Sequence, residues 1–209
     1  MDTNDVIMVE IKLVEKKDLS DVVSIHKDAF RNFFLTELGD NFLKLYYKSV
    51  LKHKSGVLLG YFIDNKIVGF CAATTLSRAF HRNLVLDNFV EFFCAGIAIF
   101  FSKPKALVRL LKNFTKNDPF INDTGNYAEL LSIGVSSKIQ GSGIGKALLS
   151  NLEDIMSSRD CHFLSLTTDF DDNEKAIGFY KRMGYDIMYD FVAYPERHMY
   201  RLIKNLQLV

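Results

Sequence analysis

The chain has 209 residues, of which 48% are hydrophobic, and its formal net charge is +1. This length and composition are ample for a folded core, and they favour a single domain, 1–209, that carries a large insertion. A net charge so close to zero argues against a nucleic-acid-binding protein.

The cysteines, histidines and hydropathy exclude several other classes. The three cysteines have no C-x-x-C spacing and the five histidines no ligand spacing, so we expect neither a disulfide framework nor a metal ion. The N-terminus, with Asp2 and Asp5, lacks the basic start of a signal peptide. The longest uncharged apolar run, 92–101, is too short to span a bilayer. We therefore predict a cytoplasmic protein without a transmembrane segment.

The first part of the chain predicts a strand, two helices and a hairpin. Residues 7–13 alternate between apolar and polar side chains, as in a half-buried strand. Asp18 and Ser20 are N-cap residue types before the first predicted helix, and Asp40 is one before the second. Two apolar runs separated by an Asp-Asn-Lys turn then predict a β-hairpin over 57–75.

A long segment, 76–126, separates this hairpin from the next predicted strand. It contains a very apolar stretch, 84–101, predicted as one helix, and a basic stretch from Pro104 that is predicted as a second. We interpret the segment as a helical insertion that packs on the domain. A lid, a subunit contact in a homodimer and a membrane-surface contact are the alternatives.

The most informative stretch is a strand, a glycine-rich turn and a helix. Residues 129–135 are short and apolar, the turn at 140–146 is Gln-Gly-Ser-Gly-Ile-Gly-Lys, and apolar residues then recur at helical spacing up to 156. The unpaired N–H groups and the dipole of a helix N-terminus favour an anion, and glycine lets a phosphate approach the backbone. The stretch therefore predicts a phosphate-binding turn.

The spacing of this turn excludes two common phosphate-binding patterns. A dinucleotide fingerprint needs glycine at Lys146, and a P-loop needs serine or threonine at Ala147 and glycine at Gln140. The pattern that fits is Q-x-x-G-x-G, with Gln140, Gly143 and Gly145. After a strand, this pattern resembles the acyl-CoA-binding turn of the GNAT acetyltransferase superfamily.

A second motif strengthens the resemblance. After a predicted strand at 163–168, residues 173–185 fit N-x-x-A-x-x-F-Y-x-x-x-G-Y, which resembles the second signature of the superfamily. The resemblance implies an α/β (α+β) fold: a mixed, mainly antiparallel sheet with helices on both faces. The segment 76–126 departs from it, because the superfamily usually has a short connection before the central strand.

The resemblance also implies acetyl-CoA as the cosubstrate. The turn would hold the pyrophosphate, and N–H groups of a splayed central strand would meet the pantetheine arm and the thioester. Tyr180 would give a proton to the departing thiolate, and Asn173, also an N-cap residue type, would bind the amide arm. The implied cofactor-binding residues are Ile133, Gly134, Val135, Gln140, Gly141, Ser142, Gly143, Ile144, Gly145, Lys146, Asn173 and Tyr180.

Two residues of the central strand have structural alternatives. Gly134 marks either a bulge or a position where a helix packs closely. Glu129 stands where histone acetyltransferases of the superfamily have a general base, so the resemblance makes it a second catalytic candidate beside Tyr180. The alternatives are a solvated strand-end glutamate and a water molecule as the base.

The resemblance implies transfer of an acetyl group to a primary amine of a small molecule in a ternary complex. The stretch 34–39 together with the insertion is similar to GNAT proteins of bacterial surface-sugar synthesis. That similarity suggests a nucleotide-linked amino sugar, whose diphosphate would meet Lys103, Lys105 or Arg109. A protein or peptide amine and a non-catalytic acyl-CoA-binding module are the alternatives.

Overall fold

A mixed sheet forms the centre of the fold in the computed structural model, which describes residues 7–31, 33–115 and 123–207. The strands are β1 (Val9–Leu13), β2 (Gly56–Ile63), β3 (Lys66–Thr74), β4 (Ala128–Val135), β5 (Phe163–Asp169), β6 (Asp186–Ala193) and β7 (Arg197–Asn205). They form a seven-stranded sheet in the order β1-β2-β3-β4-β5-β7-β6. Only β4 and β5 pair in parallel, which confirms the predicted mainly antiparallel sheet.

Helices cover both faces of this sheet. They are α1 (Leu19–Ala29), α2 (Phe34–Glu37), α3 (Asp40–Lys52), α4 (Phe80–Asp87), α5 (Phe89–Ser102), α6 (Pro104–Thr115), α7 (Ile144–Ser158) and α8 (Glu174–Arg182). One apolar cluster lies between the sheet and α1 and α3, around Leu43 and Phe70. The other lies between the sheet and α7 and α8, around Leu148 and Leu164. Burial of each such side chain contributes about 1.5–3 kcal/mol, so each face of the sheet requires its own helical layer.

Two helix starts differ from the prediction. Asp18 occupies the N-cap position of α1, but its carboxylate accepts the Glu15 N–H at 2.9 Å instead of capping that helix. The reason is a short 3₁₀ turn ahead of α1, which uses Asp18 in its own capping box. Gly39, with a φ of +92°, is the N-cap of α3, and Asp40 is already helical and pairs with Lys27 at 2.8 Å.

The apolar stretch predicted as one helix is two helices. α4 and α5 meet at Asn88 and are bent by 95°. The Asn88 side chain donates a hydrogen bond to the Leu84 carbonyl at 3.0 Å, and such local bonds compete with helix continuation. Within the described ranges, no single helix is long and apolar enough to cross a bilayer, and only this bent pair passes that test of length and composition together.

The basic helix of the segment is fixed to α2. Lys103 donates to the Glu37 carbonyl at 2.8 Å, and Arg109 lies 3.5 Å from the Glu37 carboxylate and 5.6 Å from the centre of the Phe34 ring. Two of the three cations expected to meet a substrate diphosphate therefore hold α6 in place. Lys105, the third, is exposed at the start of α6.

Candidate active site

A β-bulge interrupts the central strand at Leu131. Ser132 pairs with Ala72 of β3 and Leu130 with Ala73, so Leu131 has no partner on that strand. The sequence placed the candidate bulge at Gly134, three residues later, and that position is wrong. A Cβ on Gly134 would lie 3.1 Å from the Phe70 ring and 3.3 Å from the Ala29 Cβ. Gly134 is therefore small because α1 packs closely there, which was the structural alternative.

The bulge decides which face each later side chain of β4 occupies. Side chains alternate along a regular strand, and one extra residue reverses all that follow. Leu130 and Ile133 thus both pack on the α7 side, whereas Leu131 packs on the α1 side. Ser132 also faces the α1 side, where its hydroxyl lies 3.0 Å from that of Tyr47.

Two backbone N–H groups of β4 point into a gap between β4 and β5. The Ser136 N–H donates to the Val68 carbonyl at 2.9 Å, which fixes the alternation of this antiparallel ladder. By that alternation, the N–H groups of Ile133 and Val135 point away from β3. β5 pairs with β4 only over 128–130, so these two donors face the splayed part of the sheet.

The glycine-rich turn at 140–146 leads directly into α7. Gly141 and Gly143 have φ of +85° and +82°, and a Cβ on either would meet no atom within 4 Å. The Ala147 N–H donates to the Gly143 carbonyl at 3.0 Å. The N–H groups of the three preceding residues, 144–146, therefore come before the first bond of the helix. Spare donors beside open space fit a phosphate group.

An aspartate from α1 anchors the start of this turn. The Asp28 carboxylate accepts the Arg31 guanidinium at 2.8 Å and the Ser137 N–H at 2.7 Å, and these bonds hold the pKa of Asp28 at about 2. The contact joins residues 109 positions apart, so the sequence offered no signal for it. It fixes the strand-to-turn connection against the end of α1.

Tyr180 lies on the α7 side of the sheet, close to the splayed strand. The Phe179 ring lies 4.0 Å from a Cβ built on Gly145, so α8 packs against the start of α7. The Tyr180 side chain is 9% exposed, in the same cluster as Ile133 and its β3 partner Cys71. Burial raises the pKa of Tyr180 to about 12, so the phenol keeps its proton at neutral pH and can donate a hydrogen bond.

Asn173 joins the end of β5 to the start of α8. It stands at the N-cap position without a side-chain capping bond. Its Nδ2 donates to the Thr168 hydroxyl at 2.6 Å and to the Asp169 carbonyl at 3.0 Å. These bonds leave the side-chain carbonyl oxygen as the acceptor for a ligand amide.

Comparison with known proteins identifies the family. Residues 19–185 match the family model described as the acetyltransferase (GNAT) family. The chain belongs to this family. Membership makes it an acetyl-CoA-dependent N-acetyltransferase, as the sequence predicted. A search of curated protein sequences found no match.

Solved structures of N-acetyltransferases share the fold. One from Staphylococcus aureus superposes with a TM-score of 0.62 at 14% identity, over 95% of this chain and 99% of that chain. The ribosomal-protein-alanine N-acetyltransferase of Brucella melitensis gives 0.61 at 16% identity, over 94% and 99%. One from Thermoplasma acidophilum, in complex with coenzyme A, gives 0.54 at 13% identity, over 95% and 99%. At these identities the likeness supports the fold alone, and it confirms the predicted GNAT-like architecture.

In this GNAT protein, Glu129 lies in a buried ion pair. One carboxylate oxygen accepts Arg201 Nη1 at 2.5 Å and the other accepts the Ser77 hydroxyl. The Glu129 and Arg201 side chains are 13% and 15% exposed. Burial lowers the pKa of Arg201, but the adjacent Glu129 carboxylate more than offsets this, so the pKa lies above its usual value. Glu129 is thus not a solvated strand-end residue.

Further polar residues surround this pair on the α3 side of the sheet. Tyr46 Oη lies 3.4 Å from His81 Nε2, and the electrostatic influence of Glu129 reaches both side chains. Asp123 accepts hydrogen bonds from Tyr127 and Tyr189, which ties the segment before β4 to β6. Glu129 and Tyr180 therefore approach the splayed strands from opposite faces. Within the described residues, no group of three or more His, Cys, Asp or Glu side chains could hold a metal ion.

A buried chain of hydrogen bonds links α1 and α3 to the bulge. His26 Nδ1 lies 2.6 Å from the Tyr47 hydroxyl, which lies 3.0 Å from that of Ser132. His26 is 3% exposed, and burial lowers its pKa to about 4. The sequence gives no local signal for this role of His26, because its partners lie 21 residues away and beyond. The chain positions Ser132 next to the bulged residue.

The buried His26 predicts a pH dependence of stability. The unfolded histidine takes up a proton near pH 6.5, whereas folded His26 does so only near pH 4. The unfolded state therefore binds the extra proton in this window, and stability is lost as the pH falls through it. Urea unfolding should show that the parent protein loses about 2 kcal/mol more between pH 7 and 5 than His26→Gln does.

Exposed His162 provides the matched control for this titration. His162→Gln should lose as much stability on acidification as the parent does. Equal losses for the parent and for His26→Gln would mean that His26 does not remain neutral in the folded protein at pH 5.

Proposed function

We propose that this GNAT protein transfers the acetyl group of acetyl-CoA to a primary amine of a small molecule, by direct attack in a ternary complex. The observation that carries the proposal is the common location of a phosphate-binding turn, two outward N–H groups of β4 and buried Tyr180. The N–H groups face the gap between β4 and β5, Tyr180 lies on the α7 side of the sheet, and Phe179 of the same helix contacts Gly145 of the turn. Acetyl-CoA supplies a thioester whose carbonyl an amine can attack.

The proposed binding residues follow the length of the cosubstrate. The turn 140–146 takes the pyrophosphate through its backbone donors, and Asn173 takes an amide of the pantetheine arm. The N–H groups of Ile133 and Val135 donate to the amide arm and the thioester carbonyl. Gly134 contributes close packing beneath them, because its N–H belongs to the ladder with β3.

Tyr180 is proposed to stabilise the departing thiolate. A free thiol has a pKa of about 8.5, so full proton transfer from a phenol with a pKa of about 12 is uphill by roughly 5 kcal/mol. A donated hydrogen bond has no such penalty. These values favour Tyr180 as a hydrogen-bond donor that stabilises the developing thiolate in the transition state.

Glu129 remains the proposed general base, with a condition that the sequence could not reveal. Arg201 and Ser77 each donate to one of its two oxygens, so the amine proton must reach a remaining lone pair of Glu129, either directly or through a water. If Glu129 acts as a base, Glu129→Gln should lower kcat by about 10²–10⁴-fold. If the residue only positions Arg201, kcat should change little and the free energy of unfolding should fall.

Contacts on the acceptor side favour a small acceptor over an extended peptide. The Arg197 guanidinium lies 4.5 Å from the centre of the Phe33 ring, and Lys112 Nζ lies 4.3 Å from that of Tyr194. They bridge the segment before α2 and helix α6 to the β6–β7 turn, on the side that Glu129 occupies. A nucleotide-linked amino sugar remains one of the small acceptors that the proposal covers. A peptide amine is the second candidate, since one structural neighbour is a ribosomal-protein-alanine N-acetyltransferase.

Mass spectrometry with acetyl-CoA and a panel of acceptors tests this function. The panel comprises amino sugars, nucleotide-linked amino sugars, polyamines and peptides with N-terminal alanine. We expect a small-molecule amine to gain one acetyl group while coenzyme A is released. Acetylation of peptides alone would shift the assignment to the second candidate. Coenzyme A binding without any transfer would identify a non-catalytic acyl-CoA-binding module.

A glycine of the turn should control cosubstrate binding. Gly143→Val places a branched side chain in the open space beside the spare N–H groups, at a φ of +82° that valine avoids. Calorimetry should show the Kd for coenzyme A rising at least about tenfold. Gly184→Ala is the control, because Gly184 has a similar φ of +86° but lies at the end of α8. Equal Kd values for the two variants would contradict a pyrophosphate site at this turn.

A further inference from the structure

Helix α5 is apolar on all sides, although only one side packs on the protein. Its inner residues Phe92, Ala95 and Ile99 join the α3-side core, with the Phe92 and Phe42 rings 5.9 Å apart. Outside, Glu91 is the only charged residue of the helix. The large exposed side chains of α5 and of the end of α4 are Leu86 at 60%, Phe89 at 57%, Val90 at 68%, Phe93 at 58%, Ile97 at 45%, Phe100 at 58% and Phe101 at 80%. We call these seven residues the α5 apolar face.

The α5 apolar face is continuous and large. Phe89, Phe93, Ile97 and Phe100 follow one another at the three- and four-residue spacing of one helix side. The Phe89 and Phe93 rings stack at 5.8 Å. Together the exposed side chains present roughly 700 Å² of apolar surface, since a phenylalanine side chain offers about 200 Å². Monomeric proteins rarely expose more than about 300–600 Å² in one patch, and a larger patch is typical of an interaction surface.

Charge around the α5 apolar face indicates which occupant fits. Residues 76–115 contain six basic and two acidic residues, a net charge of +4 in a chain whose total is +1. Arg82 lies one helical turn before Leu86, and Lys105 follows Phe101 after the turn into α6. Both cations are exposed, and neither has an ion-pair partner in the part of the chain that the structure describes. The net positive charge of the chain is therefore concentrated in the same segment as the α5 apolar face.

We propose that the α5 apolar face docks on an anionic lipid bilayer. The phenylalanines would enter the boundary between headgroups and acyl chains, and Arg82 and Lys105 would meet anionic headgroups. α5 has 14 residues and is about 21 Å long, which suits a helix lying in the plane of the interface. Glu91, in the first turn, stays at the headgroup level.

A second copy of the chain fits this face less well. A symmetric dimer pairs the same patch on both subunits, so the basic residues beside one patch would approach those beside the other. An anionic bilayer replaces that repulsion by attraction. Docking requires no catalysis, so a failure of vesicle binding and a failure of acetyl transfer are separate results.

Vesicle sedimentation with the full chain tests the proposal. We expect binding to equimolar phosphatidylglycerol and phosphatidylcholine that weakens with salt. Phe93→Ser with Phe101→Ser should lower the partition coefficient at least tenfold, and Arg82→Gln with Lys105→Gln should lower it about 30-fold. The control is Ile187→Ser with Met188→Ser. It removes two exposed apolar side chains from β6, at 40% and 44%, and should change nothing.

A second measurement avoids any dependence on the folding of these variants. Exposed Cys94 of α5 can carry an environment-sensitive dye in a Cys161→Ser protein, while Cys71 is buried and protected. The dye emission should shift to the blue when anionic vesicles are added. No binding of the parent protein, or equal binding to pure phosphatidylcholine, would overturn the proposal. A dimer that binds no vesicles and dissociates on the phenylalanine substitutions would assign the face to a second copy instead.

Discussion

Replacement of Tyr180 by phenylalanine should lower kcat by about 10²–10³-fold, because it removes one preorganised donor to the leaving thiolate. The affinity for coenzyme A should stay within about twofold of the parent value, since the ring keeps its packing against Phe179 and Tyr185. The measurements are steady-state kinetics with an amine that the acceptor panel identifies, and calorimetry with coenzyme A.

The neighbouring Tyr185 supplies the matched control for this change. Its ring centre lies 5.9 Å from that of Tyr180, and it is 1% exposed beside Glu153. Tyr185→Phe deletes an equally buried hydroxyl and should leave kcat within about twofold of the parent. Parent-like turnover by Tyr180→Phe would refute the proposed role of the phenol. An equal loss in both variants would indicate general damage to this face of the sheet.

The largest expected effect on stability comes from Arg201→Met. Removal of the guanidinium leaves the Glu129 carboxylate 13% exposed and without its cation, and breaking a buried pair in this way costs about 3–5 kcal/mol. Because whole domains are stable by only about 5–15 kcal/mol, the midpoint of urea unfolding should fall sharply. Lys17→Met is the control. It breaks an exposed pair with Glu15 and should not change the midpoint.

A double replacement separates the cost of burying an unpaired carboxylate from the net contribution of the Glu129–Arg201 ion pair to stability. Glu129→Leu combined with Arg201→Met removes both charges and should recover much of the stability that Arg201→Met alone loses. If the double variant is no more stable than Arg201→Met, the unpaired carboxylate is not the cause of the loss. The double variant also lacks Glu129, so its residual kcat tests whether Glu129 is the general base.

The elements that depend on local signals could be predicted from the sequence. The hairpin over 57–75 was correct because apolar runs around an Asp-Asn-Lys turn specify β2 and β3. The turn at 140–146 and the start of α7 were correct because glycine spacing and helical periodicity are local as well. The mixed, mainly antiparallel character of the sheet followed from the family resemblance rather than from periodicity, and the strand order became known only from the structure.

The parts that depend on distant partners could not be predicted. Glu129 pairs with Arg201, which lies 72 positions away in the sequence, and no residue near Glu129 indicates that pair. The bulge at Leu131 depends on the pairing of β4 with β3, while Gly134 drew attention because glycine has the same local signature for a bulge and for close packing. The break at Asn88 lay inside a stretch whose apolar periodicity favours a continuous helix.

The unpaired residue in β4 makes this strand respond differently to a loss and to a gain of length. Deletion of Leu131 would join Leu130 to Ser132, which already face opposite sides of the sheet, so the bulge would disappear while Ile133 and Val135 stayed on the α7 side. Insertion of one residue between Ser132 and Ile133 would instead turn Ile133 and Val135 toward α1. A one-residue insertion should therefore abolish cosubstrate binding, whereas the deletion of Leu131 should straighten the strand and keep its side chains on their present faces.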